Sequence, residues 1–161
     1  MTSLSSSLRR VKRSCALLCF GALACAATAQ DVHTLRARSL TAVGAQAFLT
    51  FDCFRSTEGC DCFYLTDQYR QGAVRFRADT VATLGRHLAA QALPRAPLKR
   101  HLRQMPADDP GLRIFGVYQW PEGYHLYYLR ESDGPDILHA IAYNARGRYR
   151  GLAGQSRRLK P

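Results

Sequence analysis

From Leu112 onward, apolar and polar residues alternate in short runs separated by tight turns. Leu112 to Trp120 is one run, Pro121-Glu122-Gly123 turns the chain, and Tyr124 to Glu131 is the next. Ser132-Asp133-Gly134-Pro135-Asp136 turns it again before Ile137 to Tyr143, and Asn144-Ala145-Arg146-Gly147 leads to a short fourth run around 148–152. Residues two apart share one face of a strand, and turns this short join antiparallel neighbours. The pattern predicts a C-terminal meander that needs cover on one face.

Upstream of the strong turn at Ala107-Asp108-Asp109-Pro110-Gly111 the signals are mixed. Gln30 to Val43 reads as a lead-in of mixed character. Ala47 to Phe54 and Cys62 to Leu65 flank the turn Ser56-Thr57-Glu58-Gly59 and form a strand pair. Ala73-Val74-Arg75-Phe76-Arg77 alternates apolar and basic residues, which suits a third strand with one wet face. A helix over 79–93 is predicted, capped by Asp79 or Thr80, striped by Val81, Leu84, Leu88 and Ala92, and stopped by Pro94. A shorter helix between Pro97 and Pro106 turns Leu98, Leu102 and Met105 inward and Lys99, Arg100 and Arg103 outward. The expected architecture is α+β: one or two helices packed on a curved antiparallel sheet of five to seven strands. It occupies a single domain over 30–161, with about 153–161 as a mobile basic tail.

Residues 1–29 read as a secretory signal peptide. Arg9, Arg10, Lys12 and Arg13 precede an apolar run from Cys15 to Ala27, and Ala27-Thr28-Ala29 supplies the small residues of a cleavage site before Gln30. The apolar run, about 13 residues, is short of the roughly 20 that span a bilayer. Ala22-Leu23-Ala24-Cys25 resembles a lipoprotein box that would acylate Cys25, but Ala22 stands where leucine is usual. Arg9-Arg10 resembles a twin-arginine signal, but Lys12 occupies an apolar position of that motif. The expected location is therefore periplasmic or secreted.

Export makes disulfides permissible. Cys53, Cys60 and Cys62 follow the leader, and the hairpin they flank places Cys53 within reach of Cys60 or Cys62. Such a short loop contributes about 2–3 kcal/mol. Cys60-x-Cys62 lacks a second pair of ligands, so no metal is expected, and no cofactor motif occurs.

The whole chain carries 23 Lys and Arg against 12 Asp and Glu. Removing the four basic residues of the leader leaves 19 against 12, a net charge of +7. The excess gathers at Arg95, Lys99, Arg100 and Arg103, and again at Arg146, Arg148, Arg150, Arg157, Arg158 and Lys160. That balance favours anionic partners.

Catalytic motifs are absent from the sequence: no nucleophile elbow, no phosphate-cradling glycine loop, no His-Glu-x-x-His. The one acid–base set the meander offers is His125, Glu131 and His139 with Arg130, as a small secreted hydrolase or ribonuclease would require. Tyr124, Tyr127, Tyr128 and Arg130, together with Lys99, Arg100 and Arg103, instead compose a binding surface of the residue types that dominate protein interfaces. The expectation is a non-enzymatic exported interaction protein, such as an inhibitor or immunity protein or an accessory subunit of an envelope machine. Its partner is expected to be another envelope or secreted protein, and the charge favours an acidic one. An anionic glycan or lipid is the alternative, and nucleic acid is disfavoured by the address.

Overall fold

The computed structural model describes residues 31–77, 81–93 and 95–161, with only the backbone described at 106–108. The expected leader, with Cys25 and the twin arginines, lies outside the described residues, as do the caps Asp79 and Thr80 and the stop Pro94. Among the described residues, eight antiparallel strands follow one another round a closed barrel. They are β1 (Phe48–Ser56), β2 (Gly59–Thr66), β3 (Gln71–Arg77), β4 (Thr83–Leu88), β5 (Leu112–Trp120), β6 (Gly123–Arg130), β7 (Ile137–Asn144) and β8 (Tyr149–Arg158). Helix α1 (Val32–Val43) precedes the barrel, and α2 (Ala96–Asp108) lies between β4 and β5.

The closed barrel corrects the expectation of an open sheet of five to seven strands with helices packed on it. Two local differences produce the change. The segment expected as a helix over 79–93 contains β4, followed by one 3₁₀ turn at Ala90–Ala92. Its period-3.6 stripe is a coincidence of composition. Gly85 pairs with Ala73 of β3 and lies against the Trp120 ring, and the His87 ring lies 5.2 Å from that of Tyr118. Leu88, of opposite parity, belongs to the cluster beneath α2. Residues 153–158, expected within a mobile tail, continue β8, which pairs with β7 and meets β1 at Phe54↔Arg158 and Arg55↔Arg157.

Both faces of the wall carry apolar residues. Inside, Phe54, Phe63, Tyr118, Trp120, Tyr127 and Leu138 form one cluster, with Phe115 packed on it. Outside, α2 lays Leu98 and Met105 on Val117, Leu126, Ile141 and neighbours. Also outside, α1 seats the fully buried Leu35 with Cys53, Cys62, Val74 and Phe76. Asp31 caps α1 by accepting from the Thr34 amide, and Gly44 ends it in the left-handed region. Among the described residues no helix is long and apolar enough to cross a membrane.

Cys53 and Cys62 are direct cross-strand partners and form a disulfide, one of the two pairings the sequence allowed. Cys60 keeps a free, buried thiol. The bridge faces outward beneath α1, so it ties the β1–β2 hairpin at the point where the helix rests on it.

Gly85→Ala separates the two conformations open to this segment. In an exposed helix the change would stabilise by about 1 kcal/mol. In the barrel the new Cβ would stand 2.8 Å from the Trp120 ring, and overpacking of this kind costs about 1–3 kcal/mol. Urea unfolding of the two proteins is expected to show a lower midpoint for the alanine variant.

Candidate functional site

Strand parity determines what the barrel encloses at the end bearing the β1–β2 and β5–β6 turns. Asp61 and Arg75 are register partners on β2 and β3, while His125 and Tyr127 point inward from β6. Arg75 is only 5% exposed. Its Nε and Nη2 donate to the two Asp61 oxygens at 2.8 and 3.0 Å, and Nη1 donates to Glu122 at 2.6 Å. Nη2 also donates to the Tyr127 hydroxyl at 2.9 Å, and Tyr127 in turn donates to Asp61 at 2.6 Å. The guanidinium lies 4.0 Å from the Trp120 ring centre. Cation–π attraction of this kind is strongest in a desolvated site.

Arg75 also faces His125. Nη2 lies 3.0 Å from His125 Nδ1, and because Nη2 can only donate, a hydrogen bond here, shared with the Tyr127 oxygen, has Nδ1 as acceptor. Burial and then the Arg75 charge push the His125 pKa down to about 4. Burial works against the charge on Arg75, but the hydrogen bonds and charge of Asp61 outweigh it and raise its pKa. Burial, then Asp61, holds the Tyr127 phenol well above its ordinary range. At neutral pH Arg75 is therefore a cation beside a neutral imidazole and a neutral phenol. A cavity of about 290 Å³ adjoins it, bounded by Phe54, Asp61 and Tyr127 on one side and by Leu152–Ser156 of β8 on the other.

The structure separates the four residues of the acid–base set. His125 faces the interior. His139 is the register partner of Tyr128, stacks on its ring at 4.9 Å and meets Asp133 at 2.6 Å. Glu131 is exposed in the turn after β6, and Arg130 pairs with Asp109 at 3.1 Å. With its Nδ1 turned to the Arg75 guanidinium and its pKa depressed, His125 suits a fixed hydrogen-bonding role better than proton transfer. Of the aromatic residues read as a binding surface, Tyr124, Tyr127 and Tyr128 are all buried.

The basic residues fare differently, because the two clusters that are separate in sequence lie together in space. The Asn144 side chain accepts from the amides of Arg146 and Arg148 and sets the tip of the β7–β8 hairpin. Gly147 there has a φ of +74°, and a Cβ on it would stand 2.5 Å from Cβ of Arg95 and 3.5 Å from that of Leu98. The hairpin tip thus packs on the start of α2. His101 of α2 adds a second contact, 2.7 Å from the Tyr143 hydroxyl and 5.5 Å, ring to ring, from Tyr149. The resulting face carries Arg95, Lys99, Arg100 and Arg103 from the helix segment and Arg146, Arg148 and Arg150 from the hairpin. Lys99 is half-buried and the others are exposed. Among the described residues none of the seven has an acidic partner. Elsewhere Arg75, Arg77, Arg130, Arg158 and Lys160 are all paired with carboxylates. The start of α2 is also the positive end of its dipole and has no acid in its first turn.

Sequence reasoning missed Asp61, Arg75 and Glu122. The alternation around Arg75 placed it on a wet face, and only the apolar residues on both parities of 73–76 hint that β3 is covered on both sides. No protein-family model, curated protein or solved structure matches the chain.

Two measurements probe the interior cluster. Arg75→Met leaves Asp61 without its cation and is expected to cost about 3–5 kcal/mol in urea unfolding, with part of the loss recovered in the double variant Arg75→Met/Asp61→Leu. Between pH 6.5 and about 4, an unfolded histidine takes a proton that folded His125 refuses. Stability should therefore fall with falling pH across that window, by up to about 1.4 kcal/mol per unit from this group. The fall is expected to be shallower in His125→Gln, measured as the urea midpoint at pH 7 and pH 4.5.

Proposed function

We propose that this chain is an exported, non-enzymatic interaction protein that docks an acidic partner protein on the face formed by the start of α2 and the β7–β8 hairpin. The observation that carries the reading is that seven cations stand on two elements that touch at Gly147 and Arg95, none of them with an acidic partner among the described residues, beside the exposed Tyr149. Gathering like charges costs self-repulsion, and an acidic partner relieves it. Arginine and tyrosine are also the residue types most often found at the energetic centre of protein interfaces. Inhibition of a toxin or hydrolase, and service as an accessory subunit of an envelope machine, both fit such a surface.

Export is part of the same proposal. It rests on the order of charged, apolar and small residues in 1–29, and the Cys53–Cys62 disulfide suits an oxidising compartment. N-terminal sequencing of the exported protein is expected to begin at or near Gln30.

The surface is tested with the protein beginning at Gln30, using poly-L-glutamate, heparin and phosphatidylglycerol vesicles as alternative probes. Poly-L-glutamate is expected to bind best, with affinity falling steeply as salt rises. The triple variant Arg146→Glu/Arg148→Glu/Arg150→Glu should weaken binding at least tenfold with its circular dichroism unchanged, whereas Arg70→Glu, remote from this face, should not. Equal losses in both variants would defeat the assignment. Tighter binding to heparin or to vesicles would transfer it to an anionic glycan or a lipid surface.

A further inference from the structure

The barrel closes unevenly. β1 ends at Ser56, and its register partners on β8 are Arg157 and Arg158, at the far end of that strand. β8 is paired along its other edge with β7 from Tyr149 to Arg157. Tyr149 to Gln155 therefore face no strand on the β1 side among the described residues. The register with β7 leaves Ala153 and Arg150 unmatched, so this stretch is bulged twice. It is exposed nearly throughout: Leu152 retains 73% of its surface and Tyr149 58%. The 290 Å³ cavity opens beneath it.

An unpaired strand edge is a row of free N–H and C=O groups, and a chain that pairs with it satisfies both partners. We infer that the Tyr149–Gln155 edge of β8 receives an extended acidic segment of the partner protein as an added strand, in line with β1, with alternate side chains entering the seam cavity. The inference rests on the reading of the protein as a binder of acidic partners and specifies how part of that partner is held.

Charge selects the occupant. Arg148, Arg150 and Arg157 flank the edge and are exposed. A second copy of this chain would bring the same arginines face to face, whereas an acidic segment neutralises them. The cavity selects the inward side chains. Its charged residues already compensate one another, Arg75 with Asp61 and Arg77 with Glu58 at 2.9 Å. What remains for a visitor is an uncharged, mixed lining: Ala140, Leu152 and Ala153 beside Ser56, Gln155 and Ser156. The segment that fits alternates acidic residues outward with uncharged residues inward over about six residues, or roughly 20 Å of strand.

The test uses the protein from Gln30 and the blocked heptapeptide Asp-Val-Asp-Phe-Asp-Val-Asp. Its two counterparts are N-methylated at every second residue, one in each register, which keeps the charges; one blocks the N–H groups that face β8 and the other blocks those that face away. The unmodified peptide is expected to bind at least tenfold more tightly than one counterpart only, and to slow amide exchange at Arg150–Gln155. Equal binding of all three would overturn strand addition while leaving the poly-L-glutamate result, and the docking face, intact. Binding without protection at Arg150–Gln155 overturns it as well, as does concentration-dependent dimerisation with protection at the same amides in the absence of peptide, which would make a second copy the occupant.

Discussion

A barrel wall of eight strands has two faces, and this chain must keep water from much of both. It does so with three apolar clusters instead of one. An aromatic filling occupies the interior around Phe63, Tyr118 and Tyr127, and two outer patches lie beneath α1 and α2. The positions of the helices follow from this division. α1 covers β1–β3, where the disulfide, Val74 and Phe76 face outward, and α2 covers the β5–β7 face carrying Val117, Leu126 and Ile141. Strands covered on both sides lose the simple alternation of a half-wet sheet. That is why β3 is buried at five successive positions from Gly72 to Phe76.

The interior is not filled with apolar residues to its end. Beyond the aromatic layer the barrel holds Arg75, bonded to groups on β2, on β6 and in the β5–β6 turn. A buried ion pair is a poor source of stability compared with well-packed hydrophobic residues. Its geometric consequence is firmer: one planar guanidinium with several fixed acceptors sets the relative positions of four segments at the rim. This polar end adjoins the cavity and the stretch of β8 that β1 does not reach.

How far the sequence could be read follows from the same physics. The strands from Leu112 to Tyr143 were legible because tight turns separate short alternating runs. The helix between Pro97 and Pro106 was legible because its apolar and basic stripes are distinct. β4 was not, since Val81, Leu84 and Leu88 sit at helical spacing, and the demand of Trp120 for a residue without a Cβ at Gly85 exists only once β5 lies beside it. α1 was missed because Arg36 and Arg38 interrupt any apolar stripe; they are used as a donor to the Phe48 carbonyl and a cation over Phe76. Closure was invisible because β1 and β8 meet through two register pairs more than 100 residues apart in sequence. The basic clusters were legible as charge, but their union depends on Gly147 meeting Arg95, a contact that no local pattern encodes. The candidate acid–base residues failed to converge for a related reason: strand parity sends His125 inward and His139 outward.

The basic face and the open edge share the β7–β8 hairpin, and this links the two ways in which the surface is incomplete. Bulges at Arg150 and Ala153 and a flanking series of arginines are devices that discourage strands from joining indiscriminately. They act on charge and curvature, so they exclude identical or neutral strands more strongly than acidic ones. The features that protect the edge from self-association therefore also define what can approach it. Because the hairpin tip is anchored to α2 through Gly147 and by His101 with Tyr143 and Tyr149, the edge is presented on a braced element and not on a free loop. A partner that pairs there meets a preformed surface, so less of the interaction is spent on ordering it.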